Sequence, residues 1–217
     1  MKSLPLRILL SFPANAVLAI FAMVALRMAL HGSLQFAFLP WNIFLALLPL
    51  AFAHAAARSR NLATGILLSA AWLVLFPNAA YLVTDIVHLR IRPGRLFWLD
   101  LILLFAAGVL GVVLSLRSLR SVEKFYGRFL PRPWLTLLSI CFLAASAYGI
   151  YLGRVERWNS WDALARPFAL FNDIFDDFRH PIRNRDAWEL TALFAILQIG
   201  SYCILRSLPA KQVTRPD

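Results

Sequence analysis

Apolar residues along this chain gather into long runs separated by short polar or basic stretches. Six runs approach or exceed the ~20 residues an α-helix needs to cross a bilayer. They lie at about 8–26, 39–57, 62–83, 96–116, 134–152 and 188–205. The pattern predicts an all-α, polytopic membrane helix bundle of about six transmembrane helices, forming a single integral membrane domain over residues 1–217. Between 153 and 187 the pattern changes. Leu164, Phe168, Phe171, Phe175 and Phe178 recur at spacings of 4, 3, 4 and 3, with Asn172, Asp173, Asp176 and Asp177 between them. That period predicts an amphipathic interfacial helix over about 167–178, opened by Pro167 and ended near His180-Pro181. Such a helix lies in the bilayer interface or lids the bundle mouth, and its acidic polar face favours the lid.

The third run carries the strongest chemical signal. On an α-helix turning about 100° per residue, Asn78, Tyr81, Asp85 and His88 fall within about 80° of one another. Polar groups at the end of a membrane span need compensating partners. Asp85 and His88, three residues apart, are read as the catalytic pair of an acid/base site or as two ligands of a metal. The plainer reading pairs Asp85 with an arginine such as Arg154 and leaves His88 in headgroup water. Asn78 and Tyr81 extend the stripe inward as binding candidates, although Pro77 also frees a backbone carbonyl that Asn78 or a neighbouring helix could satisfy.

Other candidates cluster in the chain at the same predicted end. Asp100 lies about four residues into the fourth run and needs a cation or a hydrogen-bond donor. A cluster with Asp85 and His88 is expected, against a simple interfacial carboxylate. Arg154 and Arg157 present planar forks suited to carboxylate or phosphate. Asn159 and Asp162 are binding candidates or a helix cap with its third-position carboxylate, and Trp158 and Trp161 are binding or belt aromatics. His31, His88 and His180 share the face, yet no compact ligand spacing exists, so no metal and no cofactor are assigned. No nucleophile elbow, P-loop or dinucleotide fingerprint is present. Small residues repeat every four positions at Cys141, Ala145, Gly149 and Gly153, and at Ala107, Gly111 and Ser115, which predicts close helix packing.

Composition agrees with the runs: 60% of residues are hydrophobic, against roughly 45–50% in soluble domains. The formal charge of +11 would suit a nucleic-acid binder, but its distribution excludes one. Arg58 and Arg60, Arg90, Arg92 and Arg95, and Arg117, Arg120, Lys124, Arg128 and Arg132 sit at run ends, where basic residues anchor helices against anionic headgroups. Cys141 and Cys203 fall inside runs and imply no disulfide framework. Lys2 and Arg7 precede a first span read as uncleaved, since its apolar stretch continues past Ala14-Asn15-Ala16. Six spans place both termini on one side and connections 28–38, 84–95 and 153–187 on the other. Of the 22 Lys and Arg, 12 lie on the terminal side and 10 opposite, which slightly favours cytoplasmic termini.

The string Leu75-Phe76-Pro77-Asn78-Ala79-Ala80-Tyr81-Leu82-Val83-Thr84-Asp85-Ile86-Val87-His88-Leu89 resembles a family of bacterial multi-pass membrane proteins, domain-of-unknown-function family 1361. Trp98-Leu99-Asp100, Tyr151-Leu152-Gly153-Arg154, Arg157 and Asn159-Ser160-Trp161-Asp162 reinforce the likeness, which covers roughly residues 40–205. Family members commonly carry proline where Ala80 stands, a departure that bears on the local kink rather than on the stripe. The resemblance implies a bundle in the bacterial plasma (inner) membrane and supplies no activity. Three function classes stay open: a membrane enzyme or lipid-handling protein acting on an anionic lipid or envelope precursor, a small permease or transporter component, and a structural or assembly protein. The bilayer is the one partner implied, and oligomeric state is not readable.

Overall fold

The computed structural model describes residues 6–32, 34–89 and 96–207. In chain order its elements are α1 (Leu6–His31), α2 (Phe38–Arg58), α3 (Leu62–Leu75), α4 (Pro77–Tyr81), a 3₁₀ segment (Leu82–His88), α5 (Phe97–Tyr126), α6 (Arg132–Arg154), α7 (Asp162–Ala165), α8 (Pro167–Arg179) and α9 (Arg185–Ser207). Among the described residues there is no strand, and the predicted helical bundle is the architecture found. Five helical stretches are long and apolar enough to cross a membrane: Phe38–Arg58, Leu62–His88, Phe97–Tyr126, Arg132–Arg154 and Arg185–Ser207. Within α1 a shorter apolar helix, Ala14–Leu30, occupies the position of the first predicted span. Lys2, Arg90, Arg92 and Arg95 lie outside the described residues, as do the side chains of Arg7 and His31.

α5 organises the bundle. One buried cluster joins Ile20 and Val24 of α1, Leu39, Ile43 and Ala46 of α2, and Ala79 and Leu82 to Leu103, Ala107, Leu110 and Leu114 of α5. A second joins Ala53, Trp72, Phe76, Leu143 and Tyr202 to Leu119 and Val122, farther along the same helix. Lipid tails are as apolar as these side chains, so association inside the bilayer depends on close packing rather than on escape from water. Gly111 supplies that closeness: a Cβ there would lie 2.3 Å from the Ala79 carbonyl oxygen. Gly149 does the same on α6, where a Cβ would meet Pro77 Cγ at 2.4 Å. The predicted α5 seam is thus buried throughout, whereas on α6 Cys141 and Ala145 are exposed and Gly149 and Gly153 make the contacts.

Two element boundaries differ from the sequence pattern. The fourth run ends at the first basic residue, yet α5 continues to Tyr126, because Ser118, Leu119, Ser121, Val122 and Phe125 keep one face buried beyond the apolar stretch. The third run reads as one helix but is three pieces. Pro77 has no N–H to continue the ladder, and Phe76 N–H bonds back only to Leu73 O, at 3.3 Å. After Tyr81 the β-branched Val83, Thr84, Ile86 and Val87 favour a helix weakly, and Thr84 Oγ1 donates to the Tyr81 carbonyl at 2.6 Å. The chain tightens to 3₁₀ geometry, so the 100° wheel stops describing side-chain directions beyond Tyr81.

α8 forms at the predicted residues, Pro167–Arg179, but its phenylalanines are not buried as a lid's would be. Asp177 is buried, accepting from Tyr148 OH at 2.7 Å and Asn184 Nδ2 at 2.8 Å, and Asp173 accepts from Trp158 Nε1 at 3.0 Å. Phe168, Phe171, Phe175 and Phe178 are all exposed. A lid would bury those rings against the bundle. Asp177 alone of the acidic residues turns inward, to hydroxyl and amide donors, while Asp173 stays exposed beside the Trp158 indole.

Candidate functional site

The polar residues of the third run reach their partners because the helix breaks there. The 3₁₀ segment packs against α5, and Asp85 is carried into the interior at 1% exposure. Its two carboxylate oxygens are divided between two helices. Oδ1 accepts from Arg154 Nη2 at 2.9 Å, and Oδ2 accepts from Asn42 Nδ2 of α2 at 3.0 Å. Arg154, at the last turn of α6, also donates to Thr84 Oγ1 through Nε at 2.9 Å and again through Nη2. Its guanidinium stacks over the Tyr81 ring, 4.1 Å from the centroid. Gly153 lies beside the same ring, where a Cβ would stand 3.5 Å from Tyr81 Cε2, an ordinary van der Waals distance. Asn78, one turn deeper, donates to Ser160 Oγ at 2.9 Å and ties α4 to the connection after α6.

The ion pair is unevenly wet. Asp85 has no contact with solvent to speak of, while the Arg154 side chain is 23% exposed. Its three bonds use Nε and Nη2; Nη1 takes part in none of them. Paired, hydrogen-bonded charges are the form in which a carboxylate is tolerated at low dielectric. Chemically the arrangement is a guanidinium fixed from one side by a carboxylate, a hydroxyl and an aromatic face.

The remaining predicted residues divide into separate groups. His88 is exposed; its Nδ1 lies 3.1 Å from the Asp85 backbone oxygen, and its ring lies tilted against Phe38, 4.6 Å between centroids. The Asp85 carboxylate and the imidazole therefore face different partners. Asp100 has the cation its depth requires, but that cation comes from α1: Arg27 Nε bonds Oδ1 at 3.0 Å and Nη2 bonds Oδ2 at 3.4 Å. Arg27 also reaches Gln35 Oε1 at 3.0 Å and lies over the Phe36 ring. This is a second cluster with its own partners.

Asp162 closes a local cap, accepting from the Asn159 backbone N–H at 2.8 Å and from Arg166 Nη2 at 2.9 Å. The Asn159 N–H, ahead of the Arg166 bonds, holds its carboxyl below the usual aspartate range. Of the cap reading, the back-bond from the Asn159 N–H to the Asp162 carboxylate is present, but the Asn159 side chain caps no helix: α7 begins at Asp162 with Trp161 before it. Arg157 and Trp161 are exposed, and Arg157 sits at φ 60°, a left-handed conformation that non-glycine residues seldom adopt. That turn lets Trp158 N–H reach back to Leu152 O at 3.0 Å. His54, the histidine within α2, is exposed and lies 2.7 Å through Nδ1 from Leu50 O of its own helix, apart from these clusters.

Asn42, Thr84, Ser160 and Arg27 belong to these clusters without standing in the sequence-read site. Asn42 had a visible signal as a lone amide in an apolar run; Thr84 and Ser160 look like ordinary span-end residues. The opposite end of the bundle holds a further carboxylate knot. Glu123 Oε1 accepts from Tyr202 OH at 2.6 Å and Ser139 Oγ at 2.7 Å, with Arg206 Nη2 at 3.5 Å. Among the described residues, no group of three or more His, Cys, Asp or Glu is placed to hold a metal ion.

A family model described as "Protein of unknown function (DUF1361)" matches residues 41–200, and the chain belongs to that family. The match includes Asn42, Asn78–His88 and Arg154, so the polar end of the bundle lies inside the family region. No curated protein and no solved structure matches the chain significantly.

Proposed function

Starting from membership in a family whose description assigns no activity, we propose that this protein binds the anionic headgroup of a membrane amphiphile at one bilayer face. Arg154 is the headgroup ligand, with Arg157 beside it in sequence and Asn78, Tyr81 and Asp85 as its support. The observation that carries this reading is the partly exposed guanidinium of Arg154, bonded to Thr84 and Asp85 through Nε and Nη2 and stacked on Tyr81. A fixed fork loses little rotamer freedom when an anion arrives, and arginine recognises carboxylate or phosphate better than lysine does. The site faces outward from the bacterial plasma membrane, with both termini cytoplasmic. A chemical step through Asp85 and His88 belongs to the same proposal only once substrate or lipid binding rearranges the imidazole.

Native mass spectrometry of the protein extracted in mild detergent tests the idea. Co-purifying anionic lipid should be retained by wild type and reduced by Arg154→Lys and by Arg157→Ala. Both variants must unfold cooperatively, which the exposed position of Arg157 favours. Unchanged lipid content in both folded variants overturns the proposal.

A second reading has its own observation. Both oxygens of Asp85 are satisfied within the protein and tie α2, the 3₁₀ segment and α6 together. On that reading the network is a lock holding the broken third span in place, and substitutions there change stability without changing lipid content.

A further inference from the structure

Away from the Asp85 network, α5 and α9 border a small, largely apolar cleft in which Gln198, Ser115 and Ser201 are the polar side chains. It is lined by Val112, Ser115 and Leu116 of α5, Leu197, Gln198 and Ser201 of α9, and Ala80 and Val83 beside the helix break. Val112, Ser115 and Leu116 fall at i, i+3 and i+4 on α5, and Ser201 lies three and four residues beyond Gln198 and Leu197 on α9, so each helix presents one face to the cleft. Gln198 stands near the centre of a 23-residue apolar helix and is 3% exposed. Neither its Nε2 nor its Oε1 has a hydrogen-bond partner among the described residues. Ser115 is 2% exposed, and its Oγ likewise has no partner. Ser201 differs, since its hydroxyl donates to Leu197 O at 2.8 Å and keeps only acceptor capacity.

A buried amide or hydroxyl without a partner is destabilising, and lipid offers no substitute for water. Three such atoms on one cleft are a donor, an acceptor and a group that is both. A ligand that satisfies them must donate to Oε1 and accept from Nε2–H or Oγ–H. No lining residue is ionisable, so a charged ligand would have no counter-charge. The cavity volume is about 10 Å³. That is the lower edge of the roughly 10–15 Å³ that holds one water.

We propose that this cleft is a binding site for one neutral, hydroxyl-sized group that bridges Gln198 of α9 to Ser115 of α5 inside the bilayer. Water and the hydroxyl of a membrane amphiphile share that chemistry. The bridge accounts for a glutamine in the middle of an otherwise apolar α9, where direct packing onto α5 is sparse compared with packing onto α6. It is independent of any ligand at Arg154.

The test is an experimental map of the wild-type protein in nanodiscs, at a resolution that shows ordered water. Density within about 3.2 Å of both the Gln198 amide and Ser115 Oγ is expected. A single peak identifies water; density continuing as a chain between α5 and α9 identifies an amphiphile hydroxyl. Either supports the site. A Gln198 amide bonded directly to protein atoms, with no density between the helices, overturns it.

Thermal unfolding of Ser115→Ala, Gln198→Leu and the double variant gives a second arm. Through a shared bridge, Ser115→Ala lowers Tm by about 2–4 °C in the wild-type background and by almost nothing beside Gln198→Leu. Equal shifts in both backgrounds overturn the bridge.

Discussion

Removing either member of the Asp85–Arg154 pair should have unequal consequences, because the cost lies in what is left behind. Arg154→Ala strands a carboxylate that is 1% exposed, with Asn42 Nδ2 at 3.0 Å as its remaining side-chain donor. Breaking a buried pair in this way costs about 3–5 kcal/mol. Loss of the guanidinium from the Tyr81 face adds about 0.5–1 kcal/mol more. Asp85→Ala leaves a guanidinium whose side chain is already 23% exposed. A long arginine can turn its head toward the interface, so the residual penalty falls mainly on the Asn42 amide, at about 1–3 kcal/mol.

For a chain of this size, 1 kcal/mol moves Tm by about 2–4 °C. The expected loss is therefore on the order of 10 °C or more for Arg154→Ala and roughly half that for Asp85→Ala. The double variant should lose less than the sum, by a coupling of about 1–3 kcal/mol. Tryptophan fluorescence during heating in one detergent measures all three. A larger loss for Asp85→Ala than for Arg154→Ala, or strict additivity, would refute the argument that an uncompensated carboxylate dominates.

Gly111→Ala should destabilise by about 1–3 kcal/mol, since its Cβ would stand 2.3 Å from a backbone oxygen; Gly200→Ala, with nothing within 4 Å, should not, and the two melting curves side by side check it. Arg157→Gly relieves a φ of 60° and should raise Tm by about 2–4 °C, corresponding to about 1 kcal/mol. Asp162 has a depressed folded-state value, caused first by the Asn159 N–H, so its stabilisation is complete above the unfolded value of about 3.9 and is lost as pH falls through the lower folded value. Stability measured from pH 6 down to pH 3 should consequently fall more steeply in wild type than in Asp162→Asn; parallel profiles would count against the cap.

The bundle was legible because a bilayer imposes a simple rule: runs of about 20 apolar residues must be helices with internally satisfied backbones. That rule, applied to this chain, determined the helical class, the order of the spans and the positions of the polar residues near one end. It also identified Asp85 as needing a cation and named Arg154 as one candidate, because a buried carboxylate in an apolar run has few other options. Tertiary structure decided which charges meet. Arg27 takes Asp100 and Arg154 takes Asp85, a choice made by helix order around α5 that no spacing within one helix encodes. It also decided that His88 turns away from the Asp85 carboxylate, because Pro77 and the β-branched residues after it replace the 3.6-residue turn with a tighter one. And it buried Asp177 of α8, where Tyr148 and Asn184 supply donors, while leaving Phe168, Phe171 and Phe175 exposed. Periodicity reports which residues share a face; only packing reports what that face touches.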